Sequence, residues 1–418
     1  MVFLIKSSLL SLLFYWAFLI LYRSAITIAA LWSKKARQWI EGRKLQVPEY
    51  KRKTVWMHCA SLGEFEQGRP LLEAIKLKFP GYPVVLTFFS PSGYEIRKNF
   101  AGADSVLYLP LDGRDAARNF IKKINPELVL WVKYEYWYYF LSTLKDKEIP
   151  VLLVSGIFRR SQPFFKPYGK LWRSVLKSFN RLFIQDGASH KLLGEFGLKS
   201  DATVSGDTRF DRVAAIASQF EKIDPIEKFC GEHRVVVAGS TWEEDDAEWV
   251  HYIRQHPEIR FIIAPHEVDE VNIKYVQKMF PTSTLFSKLG ESPKSGNVLI
   301  INNIGMLSRL YRYAHVAYVG GGFRESGIHN VLEAAVYYKP VIFGPVYEKF
   351  REARELVEAG GAFPVKNAID LENLLDRLFN DEEFLKSAGT TAGNYVQQNR
   401  GATQIIMNYI QEKRLLTN

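Results

Sequence analysis

Three glycines, Gly320, Gly321 and Gly322, follow the apolar run 316–319, and a polar loop then leads to His329, Asn330 and Glu333. Glycines at that place permit close approach of a ligand to the backbone. The start of a following helix offers unpaired N–H groups and the positive dipole end, both of which favour a phosphate. Glu333 lies one helical turn beyond His329, so both can face one pocket. The chemistry read here is nucleotide binding; an ordinary βαβ crossover would account for the glycines alone. A different chemistry is offered by VWMHCASLGEFEQGRP, where Glu64 and Glu66 follow an apolar run. A carboxylate at a strand's carboxyl end can take a proton from a hydroxyl as its oxygen attacks. A surface glutamate near a helix N-terminus would look the same. Glu64 is favoured because it directly follows Gly63.

Further groups fall at similar places. Lys133 and Glu135 close the apolar run LVLWV; in an extended segment two residues apart they point the same way. A carboxylate among the aromatics of YEYWYYF needs a cationic or hydrogen-bonding partner. Arg159, Arg160, Lys166, Lys170 and Arg173 are interleaved with aromatic residues, which suits an anionic lipid surface or a phosphorylated acceptor as well as it suits a solvated helix. Arg209, in GDTRFDR, can grip a carboxylate or phosphate through two N–H groups. Ser240 and Thr241 form a compact loop after VVVAG, able to donate hydrogen bonds to a phosphate, and His266 ends another apolar run. The acidic run 243–246 is read as a charged first helical turn rather than a metal site. The chain shows no Walker sequence, zinc-protease motif or GxSxG elbow, and GGGFRESG is a poor fit to a dehydrogenase fingerprint.

These residues are positioned by short continuous apolar runs alternating with helical stretches, the pattern of parallel sheets covered on both faces. Strands are expected at 54–58, 84–88, 105–109, 128–132, 151–155, 181–185 and 202–204, then at 234–238, 260–264, 298–301, 316–319 and 340–343. Helices are expected at 68–78, 114–124 and 329–338. Two such series in 418 residues predict two Rossmann-like α/β domains, at residues 45–215 and 230–400, facing a central cleft, with a final helix at 401–418. Ligands of open α/β sheets bind beyond the carboxyl ends of the strands. Residues 1–33 are expected to be a membrane anchor, since 7–22 carry no charge and Lys6 can snorkel to an interface. The basic residues that follow, Arg23 to Lys44, favour a cytoplasmic location for the rest. Two cysteines, Cys59 and Cys230, make no disulfide framework or zinc pattern. A net charge of +10 suits an anionic membrane or acidic substrate, and no nucleic-acid-binding motif accompanies it.

HCASLGEFEQGRP, VSGDTRFD, AGSTWEED and the long segment GGGFRESGIHNVLEAAVYYKPVIFGPVYEKFREARELVEAGGA, in this order, resemble the 3-deoxy-D-manno-octulosonic acid (Kdo) transferases of lipopolysaccharide synthesis. The resemblance covers nearly the whole chain. It implies a GT-B fold and transfer of Kdo from CMP-Kdo to a lipid A precursor (lipid IVA) hydroxyl at the cytoplasmic face of the inner membrane, without a bound metal or other cofactor. It places the general base on Glu64 and a transition-state-stabilising pair on Glu135 and Arg209. It places CMP contacts on Pro265 and His266, on Ile304, Gly305 and Met306, and on Asn330, Val331, Leu332 and Glu333. Three departures stand out. The usual ETELWP is Lys133-Tyr134-Glu135-Tyr136-Trp137-Tyr138, a customary lysine is Arg209, and proline-arginine-histidine has become Pro265-His266-Glu267. Another GT-B nucleotide-sugar transferase or epimerase, or a membrane-tethered nucleotide-sugar binding protein, are the competing expectations.

Overall fold

A computed structural model describes residues 2–199, 201–289 and 296–417, with the backbone alone for 2–10. The expected snorkelling of the Lys6 side chain lies outside the described residues. The chain forms two compact units, Met1–Arg212 with Arg400–Asn418, and Val213–Asn399.

In the first unit the strands are β1 (Thr54–Cys59), β2 (Val84–Phe88), β3 (Ser105–Tyr108), β4 (Pro126–Val132), β5 (Val151–Gly156), β6 (Arg181–Ile184) and β7 (Ala202–Val204). They form one sheet in the order β3-β2-β1-β4-β5-β6-β7, and every pairing is parallel. Buried on both faces, β1, β2 and β5 are mainly apolar, with Thr54, His58, Thr87 and Ser155 buried among the apolar residues. One core gathers Trp56, Trp131 and Phe140 on one side of the sheet; another gathers Met57, Phe65 and Leu130 on the other. The terminal helix Ala402–Glu412, expected as a separate piece after the second domain, completes this second core with Ile406, Met407 and Ile410.

In the second unit the strands are β8 (Val235–Thr241), β9 (Arg260–Pro265), β10 (Thr284–Leu285), β11 (Val298–Ile300), β12 (Val316–Val319), β13 (Val341–Phe343) and β14 (Ala362–Pro364). Their order is β10-β11-β9-β8-β12-β13-β14, again wholly parallel. Each sheet therefore reverses its winding once, between β1 and β4 in the first and between β8 and β12 in the second. A crevice opens outside the carboxyl ends of strands at such a point.

The N-terminal helix runs Val2–Ala29, and its stretch 11–29 is long and apolar enough to cross a membrane by length and composition. Tyr15, Leu19 and Tyr22 recur at i, i+4 and i+7 and form one stripe. Tyr15 and Leu19 are buried against Leu171 of the first unit, and Tyr22 meets Trp39 and Phe89 edge-on or tilted. Leu13, Phe14, Trp16 and Leu21 remain exposed on the other faces.

Candidate functional site

In the first unit the side chains converge at the switch between β1 and β4. The helix after β1 runs Leu62–Lys78, beginning six residues before the expected start. Gly68, expected to open the helix, lies inside it because a Cβ there would meet Met57 Sδ at 2.7 Å and Val132 Cγ2 at 2.9 Å. Helix and sheet approach closely there. Glu64 thus sits in the first helical turn rather than in a loop, only 8% exposed, with its carboxylate accepting from the Ala60 N–H. Burial, opposed by that hydrogen bond and reinforced by the charge of Glu135, pushes its pKa up to about 7. Glu66 is different: it pairs with Arg97 at 2.7 Å and Arg212 at 3.2 Å, the work of a structural ion pair.

Glu135 follows β4. Its Oε2 accepts from Trp137 Nε1 at 3.1 Å and lies 3.0 Å from His58 Nε2. His58 is wholly buried in β1, and its Nδ1 is 2.9 Å from Thr87 Oγ1, which also receives Trp56 Nε1 at 2.9 Å. A proton order in which Trp56 donates to Thr87, Thr87 to His58 Nδ1 and His58 Nε2–H to Glu135 satisfies this chain, with the longer Thr87 contact to the Met57 carbonyl, at 3.4 Å, as the hydroxyl's alternative acceptor. The Lys133–Glu135 segment is not extended as expected. Lys133 turns through a positive φ of 58°, and its ammonium lies 4.9 Å from the Tyr134 ring centroid, within electrostatic reach of Glu64 and Asp207. Arg209 lies in the first turn of the helix Thr208–Ser218; its N–H and Nε both donate to Asp207, each at 2.9 Å. Asp207 is buried and receives Gln67 Nε2 at 3.2 Å. Burial raises its pKa, yet the charges of Arg209 and Lys133 hold it below the usual value. Glu64, Glu135 and Arg209 are therefore gathered with Lys133, Asp207 and Tyr134 in one charged cluster. Arg159, Arg160 and Lys170 are exposed and Lys166 half-buried around the turn Pro163–Phe165, and Arg160 pairs with Glu195.

In the second unit the carboxyl ends of β8, β9 and β12 supply the site. The glycines do not open a space for ligand. A Cβ on Gly320 would meet the Ser240 carbonyl at 2.3 Å, one on Gly322 would meet Gly344 N at 2.5 Å, and Gly321 has a φ of 89°. They are required by backbone packing and a left-handed turn. The expected helix 329–338 shrinks to Leu332–Ala335. Its carbonyls accept at i+3 as well as i+4, and Tyr338 takes a positive φ of 59° ahead of Pro340. With one helical turn, the expected dipole-based phosphate site loses its support.

A ring stack stands there instead. His329 lies on His266 with centroids 4.4 Å apart, and His266 lies on Trp242 at 4.6 Å. Trp242 Nε1 donates to His329 Nε2 at 3.3 Å, and the Arg324 guanidinium covers Trp242 at 4.0 Å. Burial, with His266 beside it, drives the pKa of His329 down to about 4; burial also lowers His266. Both imidazoles are neutral at pH 7. Asn330 Nδ2 donates to Glu333 Oε1 at 3.1 Å, while its Oδ1 accepts from Leu332 N. Ser240 has a positive φ of 54° at the end of β8, next to the buried Thr241. Val331 and Leu332 are core residues, and Pro265 is buried in β9. Ile304, Gly305 and Met306 occupy the loop after β11, farther along the sheet, with Ile304 exposed and Met306 buried. The acidic run starts the helix Glu243–Gln255: Asp245 accepts from the N–H groups of Trp242 and Gly321 and from Tyr318 Oη.

Sequence reasoning missed His58, Thr87, Trp242 and Arg324. A histidine inside an otherwise mainly apolar strand was the available signal for the first; a tryptophan directly after the Ser240-Thr241 loop was the signal for the third.

A family model described as 3-Deoxy-D-manno-octulosonic-acid transferase (kdotransferase) matches residues 35–212. A bifunctional glycosyltransferase/methyltransferase of Fusobacterium nucleatum is 25% identical over 384 residues, which is 87% of this chain but only 57% of that relative. The 3-deoxy-D-manno-octulosonic acid transferase of Haemophilus influenzae is 25% identical over 85% of this chain and 86% of its own length. That of Aquifex aeolicus is 26% identical over 79% and 88%. Among solved structures, the UDP-GlcNAc 2-epimerase of Neisseria meningitidis aligns with a TM-score of 0.61 at 17% identity, covering 86% of this chain and all 100% of that one. At that identity the likeness is one of fold, a GT-B-type pair of Rossmann-like units.

Proposed function

We propose that this chain, a member of the Kdo transferase family, moves Kdo from CMP-Kdo to a hydroxyl of a lipid A precursor with inversion at the anomeric carbon. The observation that carries this reading is Glu64. It is a buried carboxyl with a pKa pushed up to about 7, at the carboxyl end of β1, while the nearby Arg97 and Arg212 pair with Glu66 instead. A base with that pKa is ionised often enough at neutral pH and still strong enough to draw a proton from an alcohol.

Glu64 takes the acceptor's hydroxyl proton as that oxygen forms its bond to the Kdo anomeric carbon. The bond from that carbon to the phosphate oxygen breaks, and CMP leaves with the electron pair. Lys133 and Arg209 offset negative charge near the reacting groups, while Glu135, held by His58 and Trp137, supplies a fixed carboxylate toward positive charge developing on the sugar. In the second unit, the Trp242–His266–His329 stack and the Ser240–Thr241 turn receive the cytidine nucleotide, and Glu333 accepts from ribose hydroxyls. The exposed apolar side of the N-terminal helix and the basic residues around Pro163–Phe165 hold the enzyme at the inner membrane.

The test is incubation of the full-length protein with CMP-Kdo and lipid A precursor, read by mass spectrometry for addition of Kdo and release of CMP. Product from the wild type and none from Glu64→Gln is expected. Equal turnover by Glu64→Gln would remove the assigned base.

A further inference from the structure

Two cavities in the first unit, of about 330 and 380 Å³, lie beside the charged cluster and, apart from Glu135 and Trp137, are lined by residues given no role above. Both are lined by Tyr15, Phe18 and Trp172, so they are two stretches of one groove. Their combined size falls within the range of small-molecule sites, and their lining is mostly apolar. One end is closed by Tyr134 and Glu135. The other reaches Phe14 and Tyr168, 69% and 70% exposed. Phe14 belongs to the same exposed apolar surface as Leu13, Trp16 and Leu21 of the N-terminal helix. The groove therefore leads from an apolar surface suited to lipid to a carboxylate of the charged cluster.

Its wall is fixed in place. Tyr15 Oη donates to Asp112 at 2.6 Å and accepts from Tyr138 N at 3.2 Å. Asp112 also accepts from Tyr139 N at 2.9 Å and Phe140 N at 3.1 Å, and is 95% buried by its 5% exposure. The helix that bears Tyr15 is thus latched to the first turn of Tyr138–Asp146, three residues beyond Glu135. Trp137, between them, lies 4.7 Å from Phe89 by ring centroids and donates to Glu135. The N-terminal helix thus lines the groove with Tyr15 and Phe18 and presents an exposed apolar face beside it. Exposed Arg159 and Lys170, with Lys166, flank the segment that contributes Pro163 and Trp172 to the lining. An apolar trough bordered by cations fits an amphiphile with a hydrocarbon tail and an anionic head.

We propose that this groove seats a fatty acyl chain of the glycolipid acceptor, so that the tail positions the sugar hydroxyl near Glu64 and Glu135. The inference rests on the transferase reading for the identity of the acceptor, and its test separates the two. Full-length protein is irradiated with a lipid A precursor bearing a diazirine in one acyl chain, and labelled peptides are identified by mass spectrometry. Label on residues 14–18, Tyr134, Tyr168 or Trp172, competed by unlabelled acylated precursor but not by its deacylated form, is expected. Label spread over other surfaces, or equal competition by phosphatidylglycerol, overturns the proposal in favour of bulk-lipid contact. In a second arm, Phe18→Ala and Trp172→Leu are compared by the ratio of kcat/KM for acylated over deacylated precursor, with thermal unfolding recorded alongside. A fall of at least tenfold in that ratio is expected, and an unchanged ratio in folded variants overturns the groove. Labelling in the groove without any turnover would instead sink the transferase reading and leave the acyl site standing.

Discussion

At the carboxyl edge of the first sheet the converging side chains carry charge: Glu64, Glu135, Lys133, Arg209 and Asp207. At the corresponding edge of the second sheet they are flat rings, Trp242, His266 and His329, and both imidazoles are held neutral by burial. The topology is the same in both, with one reversal of strand order and side chains supplied from the two flanking strands. On the proposed function, the difference lies in what each edge handles. A proton and a developing charge require ionisable groups with displaced pKa values; a heterocycle and its sugar require surfaces and fixed hydrogen bonds. One scaffold thus offers two sites with different sensitivities.

The largest effect expected from breaking this contrast is at Glu64. Glu64→Gln should cut transfer by roughly a hundred- to ten-thousandfold while CMP affinity, measured by calorimetry, stays within about twofold. A matched loss of CMP affinity would mean that the first unit's carboxylate also serves the nucleotide. Next comes Trp242→Ala. Loss of a stacking face costs about 1–3 kcal/mol, or roughly a ten- to hundredfold rise in the CMP dissociation constant. Unaltered affinity would place the nucleotide elsewhere.

The pH dependence sharpens the same contrast. With Glu64 at about 7, kcat/KM should fall about tenfold per unit below pH 7, whereas His329, driven down to about 4, keeps one charge state over that range and should add no such slope to nucleotide binding. Stability carries a related sign. The folded carboxyl keeps its proton to about 7 against an ordinary 4.5, so the folded state binds more protons in that window and loses stability as pH rises through it. Glu64→Gln should remove that slope, and melting temperatures at pH 5 and 8 would show it. The smallest effect is expected from Thr87→Val, which takes the hydroxyl from His58 and Trp56. It should cost about 1 kcal/mol of stability and lower kcat a fewfold by loosening Glu135, with CMP affinity unchanged. A kcat identical to wild type would make the relay purely structural.

Most strands were readable because a parallel strand buried on both faces has few polar residues; β1, β2 and β5 are examples, with one or two each. The two unforeseen strands, β10 and β14, are edge strands of two and three residues with only partial burial, too short for any period to show. Position along the strands brought Glu64, Glu135, Ser240 and His266 to carboxyl ends without knowledge of tertiary structure. What could not be read were effects of contact. Gly68 resembles a helix start but marks where helix and sheet nearly touch. The glycine triplet resembles a ligand loop but is demanded by neighbouring backbone. Lys133 alternates with Glu135 on paper, yet a left-handed turn separates them. His58 looks like a core histidine until its partner, seventy-seven residues away, is known.

The final helix has a bearing on how the protein is made. Ile406 and Ile410 are fully buried in a core whose members outside the final segment all lie at or before Phe183. At about 5–20 residues per second, the intervening 213–399 segment takes the ribosome roughly ten to forty seconds to produce. Throughout that interval the nascent first unit exposes the apolar surface those two isoleucines will cover. The unit made first is therefore completed by a segment made later, and a stop codon before Ile406 would leave its core open.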